Sequence, residues 1–369
     1  MTAYRLATSG ASVLMLDRAR FPRDKPCGGG VTVRAARLVP FSLDPVVEDV
    51  VDRVELRLRY GRHFERRRGK PLVLMTQRRR LDAFVAEHAV AAGVEFRQGV
   101  RVTAIETDDR GASVTIDGKQ LHARVVVGAD GVNGISARAL GLRSRRTHGV
   151  ALEGNLSAGD VELARYRGKV VFELGAIRGG YGWVFTKGDH ANFGVGGWEA
   201  EAPALRDHLR ELCDQHGVRA DRLTDLRGYR LPVADPSAPL VRDRALVVGD
   251  AAGLVDPLSG DGIYEAFLSA GFAAHAVADF CAGRTAGLTA YDRRVKDELA
   301  RNLENSWAAK HALDRFPRLL FAVARLELVQ SALERLARND PQPATARRLA
   351  GPALRGLGLL ARARLSSAA

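Results

Sequence analysis

The sequence contains few cysteines, few lysines and no long run of apolar residues. Its three cysteines, Cys27, Cys213 and Cys281, are too scattered for a disulfide framework or a CxxC metal site, and they favour a reducing compartment. No apolar stretch reaches the roughly 18 to 20 residues that a membrane-spanning helix needs. The longest, residues 266–280, is interrupted by polar residues and predicts a buried helix. The first residues lack the basic and apolar segments of a secretory signal peptide.

Acidic residues are also the minority, because 56 basic residues outnumber 43 acidic ones and the formal net charge is +13. Only seven of the basic residues are lysines, and 49 are arginines. The arginines are spread along the chain without the interleaved aromatic residues of a single-strand binder, so no nucleic-acid partner is predicted. The charge instead favours a phosphorylated substrate or an anionic lipid surface.

The chain nevertheless has ordinary globular composition, with 369 residues of which 46% are hydrophobic and 27% charged. This length is enough for two or three domains with a substantial core, and the composition excludes a collagenous or disordered protein.

The first residues resemble the second half of a βαβ nucleotide-binding unit. Residues 2–8 predict a short helix, and residues 11–17 predict a buried strand that ends in Asp17. The glycine-rich phosphate turn of such a unit comes about 20 residues before the acid. That position falls before Met1, so we expect the first strand and the GxGxxG turn to lie upstream of this sequence, with the chain truncated at its N-terminus.

The remaining pattern predicts an α/β, Rossmann-like fold with an inserted β-rich domain and C-terminal helices. Alternation predicts strands over 51–60 and 71–76, and apolar spacing predicts helices over 80–92 and about 262–280. The predicted domains are a first nucleotide-binding part over 1–145 (in which 50–76 contribute to the substrate domain), a β-rich substrate domain over 146–227, a second nucleotide-binding part over 228–285, and a helical region over 286–369.

Two further strands end in turns that combine an acid with glycine. Residues 247–253 place Asp250 after a buried strand, and residues 126–131 do the same with Asp130. A helix that begins near Gly262 directs its positive end towards negative charge, such as that at N1 and the C2 carbonyl of a reduced flavin. Because parallel strands end at one edge of a sheet, Asp17, Asp130 and Asp250 are expected to converge around one ligand.

These segments resemble the para-hydroxybenzoate hydroxylase class of flavoproteins and, within it, the geranylgeranyl reductase family of FAD-dependent oxidoreductases. The family-specific motifs are Phe-Pro-Arg-Asp-Lys-Pro-Cys-Gly-Gly-Gly at 21–30 and Tyr-Gly-Trp-Val-Phe at 181–185. The similarity extends from Met1 to about the end of the long helix, and more loosely beyond it. The family's aromatic motif usually continues with proline, whereas Thr186 follows here.

The resemblance implies FAD as cofactor and a role for each matching residue. The implied FAD-binding residues are Asp17, Arg18 and the backbone of Val102 at the adenosine end; Arg78 and Asp250 at the phosphates or ribityl chain; Asp130 at the sheet edge; Cys27, Gly28 and Gly30 beside the isoalloxazine; and Gly262 and Ile263 at its pyrimidine. The implied substrate-binding residues are Tyr181, Trp183 and Phe185. Cys27 is the candidate catalytic residue, as a proton donor or redox-sensitive neighbour, and no metal site is predicted.

Several of these residues also have structural interpretations. Cys27 can be a small buried hydrophobe, although its glycine-rich loop suggests that the backbone passes close to a flat group. Tyr181, Trp183 and Phe185 alternate as on one face of a strand, so core packing explains them nearly as well as a lipid pocket. A cation at Arg78, where a helix begins, suggests an anionic partner, with a solvated charge as the alternative.

The resemblance implies reduction of carbon–carbon double bonds in an isoprenoid or lipid substrate, with electrons from NAD(P)H or an electron-donor protein. The alternatives are a flavin-dependent monooxygenase or halogenase of an aromatic substrate, and a degenerate non-catalytic remnant that lacks tight FAD binding.

The C-terminal region combines an apolar stripe with many arginines. The stripe consists of Phe316, Leu319, Leu320, Val323, Leu326, Val329, Leu333 and Leu336, and the tail carries Arg348, Arg355, Arg362 and Arg364. Such a region either lies on anionic lipid or caps the inserted domain. We expect a cytoplasmic protein, with peripheral contact to the inner face of the membrane as the second possibility.

Overall fold

The structure, a computed structural model, describes residues 1–143, 148–157 and 163–338. Within these residues the helices are α1 Thr2–Thr8, α2 Val33–Ala36, α3 Arg78–Ala91, α4 Ser136–Ala139, α5 Leu205–Gln215, α6 Ile263–Cys281, α7 Thr289–Arg315, α8 Pro317–Val323 and α9 Glu327–Arg338. The strands of the first half are β1 Leu14–Asp17, β2 Gly30–Thr32, β3 Val47–Val51, β4 Arg53–Leu58, β5 Arg62–Arg67, β6 Val73–Thr76, β7 Glu95–Gln98, β8 Val102–Thr107, β9 Ala112–Ile116, β10 Lys119–Ala123 and β11 Val126–Gly128. The later strands are β12 Gly149–Ser157, β13 Lys169–Leu174, β14 Tyr181–Lys187, β15 His190–Trp198, β16 Thr224–Leu231, β17 Val241–Arg242 and β18 Ala245–Val247.

The nucleotide-binding part is built from short parallel strands around one buried helix. Strand β1 pairs in parallel with β7, and β11 pairs in parallel with β18. Helix α6 is apolar on most sides, which is typical of a helix buried in a core, and it packs against α1, α2 and α7. The helix that the sequence predicted near 262–280 is therefore present with nearly the predicted bounds.

A seven-stranded sheet forms the β-rich part, in the order β16-β12-β15-β14-β13-β4-β5. Amphipathic helix α5 covers one face of this sheet with Leu205, Leu209 and Leu212, which pack into a cluster with Val184 and Phe193. Because successive strand residues point to opposite faces of a sheet, the neighbours of Val184 on β14 and of Phe193 on β15 point to the other face. That opposite face is available for a site.

The strand predicted over 51–60 is wrong in one respect, since it is divided at Asp52. Strand β3 joins a three-stranded sheet with β6 and β2, whereas β4 joins the large sheet. At the division, the backbone N–H of Asp52 donates to the carbonyl of Gly168 at 3.2 Å. Alternation continues through both strands, so the sequence pattern alone does not reveal the change of sheet.

The C-terminal helices follow the edge of the large sheet. Phe321 of α8 contacts Phe64 of β5 with ring centroids 5.2 Å apart, so α8 caps the inserted sheet, as one of the two alternatives predicted. Arg348, Arg355, Arg362 and Arg364 lie outside the described residues. Among the helices of the described residues, none is both long and apolar enough to span a bilayer.

Candidate active site

One face of the seven-stranded sheet carries a dense group of aromatic and ionisable side chains. On β14, Tyr181, Trp183 and Phe185 share this face because they alternate along the strand. Trp183 pairs with Gly194 on β15, and Gly194 pairs with Glu153 on β12, so Glu153 points to the same side. We call this surface the site face, and its members are Glu153, Asn155, Phe172, Tyr181, Trp183, Phe185, Lys187 and Asn192.

The aromatic rings of the site face form a continuous cluster. The ring centroids of Tyr181 and Trp183 are 6.0 Å apart, and those of Trp183 and Phe185 are 6.3 Å apart. The indole of Trp183 lies over Gly194, where a Cβ would come within 2.0 Å of ring atom Cζ2. Its Nε1 donates a hydrogen bond to Oδ1 of Asn192 at 2.8 Å. The glycine and the amide together hold the indole in one orientation.

The Cys27 loop, residues 26–30, crosses this aromatic cluster. A Cβ on Gly28 would lie 2.8 Å from the ring of Phe185, and one on Gly29 would lie 2.2 Å from the backbone oxygen of Thr76. Gly29 also has a backbone φ of +78°, which residues other than glycine rarely adopt. The loop backbone therefore does pass close to a flat group, as its glycines predicted, and within the protein that group is the ring of Phe185.

Two ionisable residues, the half-buried Glu153 and the buried Lys187, hold the backbone of Cys27. Its N–H donates to Oε1 of Glu153 at 2.7 Å, and its carbonyl accepts from Nζ of Lys187 at 2.7 Å. Its Sγ accepts a hydrogen bond from the N–H of Gly29 at 3.3 Å. Burial raises the pKa of Glu153 above its ordinary value, against the opposing charge of Lys187, and burial lowers the pKa of Lys187. Glu153 therefore keeps its proton to a higher pH than an exposed glutamate does.

Arg78 begins α3 and belongs to a buried ion-pair network beside Cys27. Its Nε and Nη2 donate to the two carboxylate oxygens of Asp82 at 2.8 and 2.9 Å, and Arg23 donates to the same carboxylate at 2.7 Å. The side chain of Arg78 is only 14% exposed, so it is not a solvated charge. Burial opposes ionisation of Asp82, but Arg78 and Arg23 outweigh it and hold the pKa of Asp82 below its ordinary value. Within the chain Asp82 is an anionic partner of Arg78, and the contact of Arg78 with the phosphates or ribityl chain of FAD stays a prediction.

Asp250 links the Cys27 loop to the start of α6. Its Oδ2 accepts from Nζ of Lys25 at 2.8 Å and from the hydroxyl of Tyr229 at 3.1 Å. Its Oδ1 lies 3.1 Å from the position of a Cβ on Gly262. Asp250 was predicted to contact the phosphates or ribityl chain of FAD, and Gly262 was predicted to contact the pyrimidine of its isoalloxazine. The structure places these two residues next to each other.

The surroundings of the turn before α6 contain buried polar atoms that make no hydrogen bond within the described residues. The atoms are Oδ2 of Asp261, Nε of Arg34 and Oε2 of Glu265. The other oxygen of Asp261 accepts from the N–H of Ile263 at 3.0 Å and so caps the helix. Arg34 belongs to α2 and Glu265 to α6, and the three side chains form an ion-pair cluster, because Nη2 of Arg34 lies 3.5 Å from Oδ2 of Asp261 and 3.9 Å from Oε1 of Glu265. Native proteins satisfy nearly all buried polar groups, so Oε2 of Glu265 retains hydrogen-bonding capacity for a bound polar group.

The predicted adenosine-binding residues lie at the ends of β1 and β7. The N–H of Val100 donates to the carbonyl of Asp17 at 2.9 Å, and two residues later Val102 begins β8. Oδ1 of Asp17 accepts from the N–H of Ala19 at 2.8 Å, and the side chain of Arg18 is exposed. These three residues are therefore close in the fold, and their contact with adenosine stays a prediction.

Asp130 has a local structural role. Its Oδ2 accepts from the N–H groups of Ile135 and Ser136 at 2.7 and 2.9 Å, and its Oδ1 accepts from the hydroxyl of Ser136. The carboxylate therefore closes the turn before α4. A cavity of about 30 Å³, lined in part by Gly134 and Asp250, lies between this turn and the one after β18.

Direct contacts connect Cys27, Gly28, Arg78, Trp183 and Phe185, and the ring of Tyr181 packs beside that of Trp183. Asp250, Gly262 and Ile263 form a second group at the start of α6, which the ion pair of Asp250 with Lys25 joins to the residue before the Cys27 loop, and Gly30 begins β2. The structure adds Lys25, which belongs to the 21–30 motif but had no predicted role, and four residues outside the motifs, namely Glu153, Lys187, Asn192 and Tyr229. Lys187 continues the alternation of the aromatic motif and could have been found from it. Glu153 has no such signal, because it reaches Cys27 only through the pairing of β12 with β15.

Comparison with known proteins agrees with this architecture. Residues 1–306 match the family model described as FAD binding domain. The chain is 25% identical over 361 residues to a digeranylgeranylglycerophospholipid reductase of Methanococcus vannielii, with coverage of 93% of this chain and 87% of that protein. It is 31% identical over 290 residues to a menaquinone reductase of Mycobacterium tuberculosis, with coverage of 70% and 68%. A solved geranylgeranyl bacteriochlorophyll reductase-like structure from Thermoplasma acidophilum matches with a TM-score of 0.79, 21% identity and 94% coverage of both chains.

The fold and the site together define a flavoprotein, and the predicted α/β Rossmann-like fold class is confirmed. The chain belongs to the FAD-binding domain family and, within it, to the geranylgeranyl reductase family of FAD-dependent oxidoreductases. Its cofactor is FAD, as the motifs predicted. Beside Gly262, Oε2 of Glu265 makes no hydrogen bond within the described residues, which fits a polar group of the cofactor at that turn. The assignment of individual residues to parts of FAD stays a prediction.

Proposed function

We propose that this flavoprotein reduces carbon–carbon double bonds in the isoprenoid chain of a lipid. The observation that carries the proposal is the site face, where an aromatic cluster adjoins a cysteine and a half-buried glutamate whose pKa burial raises. Aromatic rings offer an apolar surface for an isoprenoid chain, and the glutamate offers a proton at its edge. Two relatives have names that refer to a digeranylgeranylglycerophospholipid and to menaquinone, which supports a lipid substrate.

The proposed reaction adds one hydride and one proton to a double bond. FAD, when bound, supplies the hydride chemistry. An isolated alkene has no carbonyl group to accept developing negative charge, so proton delivery to one carbon must accompany hydride addition to the other. This step requires a nearby acid in a site from which water is excluded.

Two groups of the chain can supply this proton. The thiol of Cys27 lies in the loop that crosses the aromatic cluster, and the Glu153 carboxyl group contacts the backbone of the same residue. Lys187 holds the other side of the Cys27 peptide and keeps the loop in place. We assign proton donation to Cys27, with Glu153 as the neighbour that positions the loop and retains a proton. The electrons come from NAD(P)H or from an electron-donor protein.

The direct test supplies reducing equivalents chemically, so that the natural donor is not needed. FAD-loaded protein is reduced with dithionite under anaerobic conditions and incubated with geranylgeranyl diphosphate, a menaquinone and a digeranylgeranyl glycerophospholipid. Mass spectrometry is expected to find the gain of H₂ per reduced double bond in at least one lipid. The proposal fails if all three lipids are unchanged while an aromatic compound is hydroxylated or halogenated in oxygen, or if the purified protein stays colourless with added FAD.

Two separate cysteine substitutions distinguish the proposed role of Cys27 from a general loss of folding or FAD binding. Cys27→Ala is expected to lower the rate of alkene reduction and to leave the flavin content intact, because the side chain of alanine fits the loop but has no proton to donate. Cys281→Ala, at the far end of α6, is the matched control and is expected to keep the wild-type rate. An unchanged rate in Cys27→Ala would remove this residue from the mechanism.

A further inference from the structure

Helix α9 is attached to the protein by its polar side. Glu327, Ser331 and Glu334 share one face of the helix because they are spaced by four and three residues. All three contact Arg68, whose Nη1, Nη2 and Nε donate to them at 3.0, 3.2 and 2.8 Å, respectively. At the end of the helix, Arg338 donates to the carbonyl of Pro71 at 2.6 Å. These contacts determine which face of α9 points outwards.

The outward face of α9 is apolar. Leu336 lies nearly opposite the contacts with Arg68, Leu328 and Leu333 flank it on either side, and the three are 46%, 62% and 49% exposed, respectively. The preceding segment continues this surface, since Leu319 and Leu326 are 47% and 56% exposed. A surface helix of a globular protein normally has the reverse orientation, with its apolar face towards the core. The arrangement therefore indicates a surface that meets another apolar medium.

Basic residues accompany these exposed leucines. Arg318 directly precedes Leu319, Arg325 directly precedes Leu326, and both arginines are exposed. Residues 315–338 contain five arginines and two glutamates, and both glutamates are bound by Arg68. The outer surface of α8 and α9 thus combines exposed leucines with an excess of positive charge.

We propose that α8 and α9 form a docking surface for an anionic lipid bilayer. The exposed leucines insert between the lipid headgroups, and Arg318 and Arg325 contact the lipid phosphates. An anionic bilayer supplies both an apolar interior and a negative surface, which is the combination that this surface complements. A second copy of the chain is less suitable, because pairing of identical surfaces brings the same arginines together. This inference goes beyond the proposed reaction, and its test measures binding rather than turnover.

The test is vesicle co-sedimentation with the full chain loaded with FAD. Vesicles contain phosphatidylcholine with phosphatidylglycerol, or phosphatidylcholine alone. Wild-type protein is expected to bind the anionic vesicles, with affinity that falls as salt screens the arginines. Leu328→Ser/Leu333→Ser/Leu336→Ser is expected to weaken this binding by about tenfold or more, because three leucine side chains no longer enter the apolar region.

The matched control is Leu226→Ser on β16, since Leu226 is 41% exposed at the opposite edge of the large sheet. This variant is expected to bind vesicles like the wild type. Thermal unfolding of the triple variant should match the wild type, because the substituted side chains are exposed. The proposal is overturned if wild-type protein does not bind anionic vesicles or if the triple variant binds them equally well. It is also overturned if the triple substitution instead dissociates a dimer or lowers the melting temperature, since protein then covers this face.

Discussion

Alanine at Gly29 tests the packing that holds Cys27 against the aromatic cluster. Gly29 has a φ of +78°, and an L-residue in this left-handed region costs about 1–2 kcal/mol. The new Cβ would also lie 2.2 Å from the backbone oxygen of Thr76, which cannot rotate away as a side chain can. Overpacking of this kind adds about 1–3 kcal/mol. We therefore expect Gly29→Ala to lower the free energy of unfolding by about 3 kcal/mol.

Gly10 offers a control with the same backbone conformation and no steric conflict. Its φ is +88°, and no described atom lies within 4 Å of its Cβ position. Gly10→Ala should lose only about 1 kcal/mol, because the backbone cost is partly offset by the reduced entropy of the unfolded chain. The difference between the two variants, about 2 kcal/mol, isolates the contact between Gly29 and Thr76.

Urea unfolding followed by tryptophan fluorescence measures both variants, and flavin absorbance of the purified proteins measures FAD retention. Because Gly29 follows Cys27 and Gly28, its displacement should also move the loop from Glu153 and Lys187 and lower the FAD content. Gly10→Ala should retain FAD like the wild type. Equal unfolding free energies for the two variants, or full stability in Gly29→Ala, would refute this account of the loop.

Two further predictions concern buried charges. Arg78→Met leaves Asp82 with Arg23 as its remaining close cation, so we expect the free energy of unfolding to fall by about 3–5 kcal/mol and the protein to bind less FAD. The neighbouring substitution Arg79→Met, at an exposed position, should change neither quantity. Normal flavin content and stability in Arg78→Met would contradict this expectation. Burial raises the pKa of Glu173 to about 7, so its favourable contribution is present below the ordinary glutamate pKa of 4.5 and is lost as pH rises to about 7. Glu173→Gln should remove this pH dependence, worth about 3 kcal/mol, when unfolding is measured on either side of that window. A variant with the same pH dependence as the wild type would show that another group is responsible.

Local chemistry explains why much of the site could be predicted. The glycines of the Cys27 loop require a close approach and a left-handed backbone, and both are visible in sequence as consecutive glycines. The alternation of Tyr181, Trp183 and Phe185 places their rings on one face of β14, because successive strand residues point to opposite sides. Asp17 is the last residue of β1, and Asp250 follows the end of β18 by three residues, so both acids mark strand ends in the sequence.

Other features depend on residues far apart in the chain. The contact of Glu153 with Cys27 spans 126 positions, and the ion pair of Lys25 with Asp250 spans 225. Asp130 illustrates the opposite case, since its turn resembles a cofactor motif but its carboxylate closes the turn before α4. Both Asp130 and Asp250 follow a strand in a glycine-containing turn, and their different partners become visible only in three dimensions.

The sequence by itself indicated the fold class and the loop and strand at the centre of the site, because these follow from short-range periodicity and from glycines with steric requirements. The family and the FAD cofactor followed from the resemblance of its motifs to those of known flavoproteins. The tertiary structure decided which ionisable groups surround Cys27 and that α9 presents its leucines outwards. An amphipathic helix specifies two faces but not which one meets the protein. Here the polar face of α9 meets the protein because it binds Arg68, which lies more than 250 residues earlier in the chain.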